Sequence, residues 1–270
     1  MKPSEMFDLS GKFALVSGAA SGMGRATSLA LSEAGATLML ADINEEEMNK
    51  TAKDISDLGG HAVPVKCDVS RPDQILSMFE ILDGEFGKID FLGNIAGEGL
   101  RGKPEDVSLD DIEQSWRNLV YGRFCCCQEA GRRMLVSGCG SIVNVGSLAS
   151  VTALGRGHIP YSMAMGAVVQ MTRELSTEWA GRGVRVNAIL PAQVLNPGLQ
   201  ERIRSDARIK EKFLSGIPRG RFGQPDDIRG LAVLLASDAS SWITGALIPM
   251  DGGNLAMNAG GSVGTEVFIE

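Results

Sequence analysis

Three glycines in the segment SGAASGMGRA have the spacing of a phosphate-binding turn. Gly18, Gly22 and Gly24 follow a predicted strand and open a predicted helix in the first βα unit of the chain. Glycine allows a tight turn and a close approach of the backbone to a pyrophosphate, which then faces the amides at the positive end of the helix. A tight turn without a ligand is the alternative, and the position in the first βα unit favours a dinucleotide site.

An acidic residue, Asp42, ends the second predicted strand, eighteen residues after Gly24. A carboxylate there can accept hydrogen bonds from both hydroxyls of an adenosine ribose, and it repels a 2′-phosphate. Positions 43 and 44 are Ile and Asn, so no cation adjoins Asp42 to bind such a phosphate. The sequence therefore predicts NAD(H) in preference to NADP(H). The competing role for Asp42 is N-cap of the helix that starts in NEEEMNK.

Tyr161, in the segment PYSMAMGAVVQM, is a candidate proton donor and acceptor. The pKa of a free tyrosine is about 10, so a nearby cation would help the phenol to act as a base at neutral pH. Residues four apart share one face of a helix, and four residues after Tyr161 stands Met165, which has no charge. Without such a cation Tyr161 remains a phenol that donates a proton more readily than it removes one. Arg156 and His158 are candidates to compensate, although a loop arginine or histidine is more often only a surface residue.

Short apolar runs alternate with longer amphipathic runs from residue 12 to about residue 250. The apolar runs predict seven strands, in KFALVSG, ATLMLAD, AVPVKCD, KIDFLGN, GSIVNVGS, VRVNAIL and ALIPMDG. The runs between them predict helices, including one long helix over residues 110–135. Because parallel strands need crossovers, the alternation predicts an α/β protein: a single-domain Rossmann fold over residues 1–270, whose doubly wound seven-stranded parallel sheet has helices on both faces.

One segment, residues 195–223, interrupts the alternation with a charged helix between Pro- and Gly-rich ends. An insertion of this kind beyond the carboxyl ends of strands suits a mobile lid over a substrate site. The segment contains five arginines, namely Arg202, Arg204, Arg208, Arg219 and Arg221. They either favour an anionic substrate or merely face water, and charges on an inserted helix usually face water.

With these motifs the chain resembles the short-chain dehydrogenase/reductase family over nearly its whole length. The family's TGxxxGxG reads SGAASGMG, its acidic-valine pair reads Asp68-Val69, and its closing DGG stands at residues 251–253. The resemblance implies that Asp68 and Val69 lie beside the adenine and that Asn94, Ala96 and Gly97 lie beside the riboses. In full, it implies a cofactor site made of Gly18, Ser21, Gly22, Met23, Gly24, Asp42, Asp68, Val69, Asn94, Ala96, Gly97, Tyr161, Met165, Pro191 and Val194.

The resemblance also implies a catalytic set. In the family a tyrosine exchanges a proton with the substrate oxygen while hydride moves between carbon and nicotinamide, a serine orients that oxygen, and a lysine lowers the pKa of the tyrosine. Ser147 and Tyr161, fourteen residues apart, match the serine and the tyrosine, whereas the position of the lysine is Met165. The family's upstream asparagine aligns with Leu119, and Asn118 stands one residue early as the remaining candidate.

The leading hypothesis is an NAD(H)-dependent enzyme that acts on a hydroxyl or carbonyl of a small organic substrate. One alternative is a lyase or dehalogenase that uses Ser147 and Tyr161 without hydride transfer, but relatives of that kind lose the glycine turn that is intact here. Others are a non-catalytic cofactor-binding subunit and an engineered lysine-to-methionine variant. Further departures from the family at Ile95, Ala192 and Asn196 favour natural divergence over a single engineered change.

Composition excludes several classes of partner. The formal net charge is −7 and the 26 basic residues are scattered, so nucleic acid is not expected. No apolar stretch reaches the roughly 20 residues of a membrane span, and the N-terminal segment does not resemble a signal peptide, which together predict a cytoplasmic protein without a membrane partner.

Cysteines and histidines predict no metal site. Three of the five cysteines are adjacent, at residues 125–127, which suits reduced, buried side chains, and the two histidines are isolated. The family resemblance implies a homotetramer or homodimer built on two long helices, with Trp116, Phe124 and Trp179 as candidate anchors.

Overall fold

A computed structural model describes residues 2–257 of the chain and shows one parallel sheet of seven strands. The strands are β1 (Phe13–Ser17), β2 (Thr37–Asp42), β3 (Ala62–Lys66), β4 (Phe91–Asn94), β5 (Gly140–Val145), β6 (Val184–Pro191) and β7 (Leu247–Met250). Their order across the sheet is β3-β2-β1-β4-β5-β6-β7, and every neighbouring pair is parallel. All seven predicted strands are confirmed. The chain reverses its direction of winding between β1 and β4, where doubly wound sheets bind ligands.

Helices cover both faces of the sheet. In chain order they are α1 (Pro3–Met6), α2 (Gly22–Glu33), α3 (Glu45–Asp57), α4 (Pro72–Phe86), α5 (Leu109–Trp116), α6 (Gly122–Ser137), α7 (Ile159–Trp179), α8 (Pro197–Ser205), α9 (Ala207–Leu214) and α10 (Arg229–Ala236). Successive side chains of a strand point to opposite faces. Leu38 and Leu40 of β2 accordingly pack into a core with α2, α3 and α10, whereas Met39 and Ala41 pack into a second core with α4 and α6. The predicted Rossmann architecture is confirmed.

The long helix predicted over residues 110–135 contains an irregularity. Between α5 and α6 the backbone forms a π-helical segment, Arg117–Tyr121. Such segments insert an extra residue into a helix and are frequent at functional sites. Here the segment includes both candidates for the upstream asparagine position, Asn118 and Leu119.

The inserted segment at residues 195–223 differs from the single charged helix that the sequence predicted. It forms two short helices, α8 and α9, which meet at Asp206. Asp206 has an extended backbone, and its carboxylate accepts a hydrogen bond from the amide of Arg208. An aspartate in this conformation ends one helix and caps the next, because its side chain replaces the missing backbone acceptor. The two helices enclose a small core of their own, formed by Leu199, Phe213, Ile217 and Phe222.

No helix of the described chain combines the length and apolar character needed to cross a bilayer. Residues 258–270, which belong to the predicted single domain, lie outside the described residues.

Candidate active site

The glycine turn after β1 is closely packed. Gly18 has a positive φ of 75°, and a Cβ on it would lie 3.0 Å from the amide nitrogen of Ala96. A Cβ on Gly24 would lie 1.9 Å from the carbonyl oxygen of Gly18. Helix α2 can therefore approach β1 this closely only because residue 24 is glycine.

The start of α2 leaves its first amides available. Ser21 is the N-cap, but its side chain makes no capping hydrogen bond, and Gly22 follows with a φ of 53°. Met23 packs its side chain against the core beneath the turn. An unfilled N-terminus of this kind can receive a phosphate, since the first turn of a helix has unsatisfied N–H groups.

Asp42 lies at the edge of the glycine turn. One carboxylate oxygen accepts a hydrogen bond from the Ala20 amide at 3.0 Å, and the other accepts one from the Asn44 amide at 2.9 Å. The N-cap of α3 is Asn44, whose side chain accepts from the amide of Glu47. The competing role that the sequence left open for Asp42, helix capping, therefore belongs to Asn44.

Asp68 and Val69 follow β3 in a turn that faces α6. The carboxylate of Asp68 accepts from the Ser70 amide at 2.8 Å. A Cβ on Gly122 would lie 1.9 Å from the carbonyl oxygen of Val69, so the turn contacts the first residue of α6 directly. This contact fixes the position of both residues relative to the carboxyl end of β4.

The loop after β4 contains Ala96 and Gly97. Ser17, at the end of β1, accepts hydrogen bonds from the amides of Ile95 and Ala96 at 3.1 and 3.2 Å, and sequence reasoning did not single it out. Asn94 points its side chain away from this loop and donates to Asn144 Oδ1 at 3.0 Å and to Cys127 Sγ at 3.2 Å. Any contact from Asn94 to a ribose would therefore use its backbone.

A cleft of about 670 Å³ opens at the carboxyl ends of the strands. Five residues predicted from the sequence line it together: Gly97, Ser147, Tyr161, Pro191 and Val194. The hydroxyl of Ser147 accepts a hydrogen bond from the amide of Ala149 at 3.1 Å and so caps the short 3₁₀ turn that follows β5. Ser147 is 9% exposed.

Tyr161 stands in the first turn of α7 and forms one wall of the cleft. A Cβ on Gly99 would lie 2.8 Å from the Cδ2 atom of Tyr161, so the loop after β4 packs directly on the ring. The ring of His158 meets that of Tyr161 edge-on, with centroids 6.3 Å apart. Burial lowers the pKa of His158 below its ordinary value, and its Nδ1 lies 2.8 Å from the Gly155 carbonyl oxygen. Burial thus favours the neutral form of His158, which would provide no positive charge to Tyr161.

Met165 is 1% exposed and packs in an apolar cluster with Leu119, Ala149, Ala164 and Val168, against which Tyr161 also packs. The structure places Leu119 in this cluster and not Asn118. The side chain of Asn118 donates to the carbonyl oxygen of Glu98 at 3.3 Å, and Asn118 is absent from the described residues that line the cleft.

An arginine that sequence reasoning did not select lies behind the same wall. Arg123 of α6 is 4% exposed, and its guanidinium donates to the carbonyl oxygens of Leu119, Ile95 and Ala96 at 3.1 to 3.3 Å. Its Nε has no acceptor. Burial lowers the pKa of Arg123, and the neighbouring Tyr161 acts in the opposite direction. The available signal in the sequence was an arginine beside the apolar run FCCC.

Three more arginines line the mouth of the cleft. They are Arg101 after β4, Arg156 before α7 and Arg202 on α8. The Cζ atoms of Arg156 and Arg202 lie 4.8 and 5.7 Å from the ring centroid of Phe213. Burial lowers the pKa of Arg156, and the charges of Arg202 and Arg101 lower it further. Within residues 2–257, no three His, Cys, Asp or Glu side chains come together to hold a metal ion.

The chain is similar to known proteins over most of its length. A family model described as enoyl-(acyl carrier protein) reductase matches residues 18–254. A D-threitol dehydrogenase of Mycolicibacterium smegmatis is 40% identical over 251 residues, which cover 92% of this chain and 94% of the relative.

Two solved structures are similar over most of both chains. A gluconate 5-dehydrogenase from Burkholderia cenocepacia, in complex with NADP and tartrate, has a TM-score of 0.88 at 30% identity and covers 94% of this chain and 99% of its own. A 7α-hydroxysteroid dehydrogenase complexed with NADH and 7-oxo glycochenodeoxycholic acid has a TM-score of 0.89 at 30% identity, with coverages of 94% and 98%. These relatives are dehydrogenases, and they do not favour the lyase alternative. The chain belongs to the short-chain dehydrogenase/reductase family and is a short-chain oxidoreductase.

Proposed function

We propose that this oxidoreductase uses NAD(H) in preference to NADP(H) and that Tyr161 exchanges the proton with the oxygen of a small alcohol or carbonyl substrate. The observation that carries the proposal is the placement of Tyr161 and Ser147 in one cleft at the carboxyl ends of the strands, next to the glycine turn. In doubly wound sheets this is where nucleotide cofactors and their substrates meet.

The glycine turn fits a dinucleotide. Gly18 and Gly24 allow the start of α2 to pack closely on the end of β1, Gly22 between them is exposed with open space at its Cβ position, and the uncapped start of α2 supplies amides for a pyrophosphate. Beyond the pyrophosphate, Asp68 and Val69 would border the adenine, and Ala96, Gly97, Pro191 and Val194 would border the nicotinamide half. When bound, the nicotinamide supplies or accepts the hydride.

Asp42 supports the preference for NAD(H). Its two backbone hydrogen bonds hold the carboxylate beside the turn, where it would accept from ribose hydroxyls and repel a 2′-phosphate. The next two residues, Ile43 and Asn44, contribute no cation. Solved relatives hold either NADP or NADH, so membership of the family does not set the preference, and Asp42 is the residue of this chain that supports NAD(H).

The hydroxyl of Ser147 suits an orienting role. Since its oxygen accepts from the Ala149 amide, its own hydrogen is free to donate to a substrate oxygen. The same hydrogen bond fixes the rotamer of Ser147 before a substrate arrives. Tyr161 would then give its proton to a carbonyl oxygen during reduction or remove the proton from a hydroxyl during oxidation.

Helices α8 and α9 are proposed as a lid over this cleft, as expected for residues 195–223. Their own small core allows them to move as a unit, while Leu199, Arg202 and Phe213 line the cleft. Small hydroxylated compounds suit a cleft of this size. The threitol and gluconate named for the relatives point to a secondary alcohol of a short polyol or sugar acid.

A homotetramer or homodimer remains part of the proposal. Phe124 of α6 is 45% exposed, and Tyr121 beside it is 50% exposed, which suits an interface. Trp179 is a poorer anchor than the sequence indicated, because its ring packs where a Cβ on Gly131 would lie, at 2.5 Å. A measurement of the molecular mass in solution tests the proposed oligomeric state.

The test of the function is a fluorescence titration with NADH and NADPH, followed by a panel of alcohols and ketones. We expect tighter binding of NADH and turnover of at least one ketone. Tyr161→Phe, which removes only the hydroxyl, should lower the rate by roughly 10²-fold or more without changing NADH affinity. Tight NADH binding with no turnover across the panel would favour a non-catalytic cofactor-binding protein instead.

A further inference from the structure

We propose that the cleft selects a substrate with an anionic group, carboxylate or phosphate, and that Arg101, Arg156 and Arg202 bind this group at the mouth. The inference rests on the proposed function, because it assigns the residues of the same cleft that would bind a second group of the substrate, apart from the reacting oxygen. Of the two roles that the sequence left open for the arginines of residues 195–223, it assigns anion binding to Arg202.

The first observation is an excess of positive charge at the mouth. None of the three arginines forms an ion pair anywhere in the described part of the chain. Glu98, which is exposed, is the one carboxylate among the described lining residues, and burial favours the neutral form of His158. Burial is the main cause of the lowered pKa of Arg156, and repulsion by the charges of Arg202 and Arg101 lowers it further. An anion bound between them would relieve this repulsion.

The second observation is that two of the arginines are held in place before any ligand binds. Arg156 and Arg202 come from different segments, yet both lie over the ring of Phe213, which is 8% exposed. A guanidinium stacked on an aromatic ring keeps its N–H groups free for a planar anion. Prior ordering lowers the entropy cost of binding.

The third observation is backbone strain at Arg156. Its φ is 59°, the only positive φ of a non-glycine residue among residues 2–257, and it lies between Gly155 and Gly157. A bulky side chain in this conformation costs of order 1 kcal/mol or more, and such strain tends to occur at binding sites. The strained turn directs Arg156 toward Phe213 and the cleft.

Three other arginines of residues 195–223 have acidic neighbours. Arg208 pairs with Asp206 at 3.2 Å, Arg221 with Asp227 at 2.7 Å, and Arg204 lies 4.0 Å from Glu201. Of the two arginines on α8, Arg204 points to solvent and Arg202 to the cleft. Four cations of residues 195–223 have no ion pair among the described residues, and only Arg202 of these lines the cleft; the others are Lys210, Lys212 and Arg219.

The experiment compares a neutral polyol, the sugar acid of the same chain length and the corresponding sugar phosphate as substrates with NAD⁺. Arg202→Gln and Arg156→Asn are the test variants, asparagine being chosen because it tolerates a positive φ. Arg204→Gln, on the same helix, is the matched control. We expect each test variant to raise KM for the anionic substrate about tenfold, as for the loss of one charged hydrogen bond, with little change in kcat or in KM for the polyol.

Preference for acid or phosphate in the wild type identifies the anionic group. An equal effect of the test variants on polyol and acid, or an equal effect of Arg204→Gln, would overturn the inference. Calorimetric titration of the NADH complex with tartrate and with threitol gives a readout that needs no turnover, and binding of both with equal affinity would also overturn it. Absence of turnover of all three substrates, with selective binding of tartrate, would instead refute the proposed function and leave the anion site supported.

A separate observation concerns the missing lysine, and we infer that Arg123 supplies the positive charge that Met165 cannot. Arg123 is buried behind the loop that packs on Tyr161, and its guanidinium contacts the carbonyl oxygens of Ile95 and Ala96 in that loop. A third contact, to the carbonyl oxygen of Leu119, reaches the cluster that contains Met165.

The cost of burying this charge indicates a role. A buried guanidinium without a carboxylate is destabilising by several kcal/mol unless hydrogen bonds compensate, and Arg123 forms no ion pair in the described residues while its Nε lacks an acceptor. The positive charge would stabilise negative charge that develops in the cleft during proton transfer, through a medium that screens it weakly. Arg123 thus acts as a positioning residue from α6, whereas the family's lysine stands on α7.

The test uses Arg123→Met, Arg123→Lys and the double variant Arg123→Met/Met165→Lys. We expect Arg123→Met to lower alcohol oxidation at pH 7 roughly tenfold or more and to move the rising limb of the pH–rate profile to higher pH. Arg123→Lys and the double variant should each keep part of the oxidation rate and part of the wild-type pH–rate profile, because each contains a cation near this position. Thermal unfolding and NADH affinity report on the separate role of Arg123 in anchoring the loop.

Loss of rate at every pH, without movement of the profile and without rescue by either lysine, would overturn the inference and leave Arg123 a structural residue. If Arg123→Met does not fold, Arg123→Lys alone decides, since a retained pH–rate profile supports the role of charge and a displaced one contradicts it.

Discussion

The carboxylate of Asp42 and the amide of Ala20 are joined by a hydrogen bond of 3.0 Å. This hydrogen bond connects the end of β2 to the glycine turn after β1. The other carboxylate oxygen accepts a second hydrogen bond, from the Asn44 amide. Asp42 therefore cannot swing away from a cofactor at the turn without losing two backbone contacts.

The hydrogen bonds of Asp42 predict what happens when only its negative charge is removed. Asp42→Asn keeps one oxygen for the Ala20 amide and loses the repulsion of a 2′-phosphate. We expect NADPH to bind about tenfold more tightly and NADH somewhat more weakly, as measured by fluorescence titration. Glu46→Gln, an exposed change on α3, is the control and should leave both affinities unaltered. Unchanged NADPH affinity in Asp42→Asn would contradict the proposed cofactor preference.

A second prediction concerns the contact between Gly24 and Gly18. In Gly24→Ala the new Cβ would lie 1.9 Å from a backbone oxygen, so α2 and the turn must move apart. We expect a loss of stability of about 3 kcal/mol together with loss of NADH binding, measured by thermal unfolding and titration.

Gly84→Ala on α4 is the matched control, because a Cβ there meets nothing within 4 Å. Alanine favours the helix, so this variant should be as stable as the wild type or about 0.5 to 1 kcal/mol more stable. Normal NADH binding by Gly24→Ala would show that the packing of this turn is not required for the cofactor.

The fold was predictable because its signals are local and repeated. Each strand is a short apolar run such as ATLMLAD, and the glycine turn stands where the first run ends. The break between α8 and α9 was missed because Asp206 reads as one more charged residue of a charged helix, and its capping role depends on its backbone angles.

The candidate site was predictable only in part. Ser147 and Tyr161 could be located by motif, and both line the cleft. Arg123 could not be found in this way, because its role depends on burial and on carbonyl groups from a loop far away in sequence. Likewise, Arg156 and Arg202 are 46 residues apart, and only the folded chain places them on the ring of Phe213.

A third prediction separates the two roles of Ser147. In Ser147→Ala both the proposed donor to substrate and the cap on Ala149 are lost, so stability should fall by about 1 kcal/mol and kcat should fall far more, by roughly 10²-fold. Ser108→Ala removes a comparable cap from α5, whose Asp111 amide donates to the serine at 3.1 Å. Ser108→Ala should lose about as much stability as Ser147→Ala, but it should keep the wild-type kcat. Equal rates in the two variants would remove Ser147 from the catalytic set.

A fourth prediction concerns acid stability and the pair formed by Asp227 and Arg221. Both carboxylate oxygens of Asp227 accept from Arg221, at 2.7 and 2.8 Å, and this bidentate pair lowers the pKa of Asp227 from 3.8 to about 2. The pair joins the end of residues 195–223 to the 3₁₀ turn before α10. Because the folded-state pKa is depressed, the unfolded chain binds the proton more readily, and the stabilisation is present above pH 3.8 and is lost as pH falls toward 2.

Asp227→Asn should therefore lower the free energy of unfolding at pH 7 by about 1 kcal/mol, a value reduced to allow for solvent screening of a partly exposed pair. At pH 2 the wild-type carboxyl is about half protonated, so most of the difference from the wild type should have disappeared. Urea unfolding at pH 7 and at pH 2 measures the free energy of unfolding of the variant and the wild type. Asp226→Asn, whose carboxylate is 3.7 Å from Arg229, is the control and should change stability little. A difference that persists at low pH would mean that Asp227 acts through shape and capping rather than through its charge.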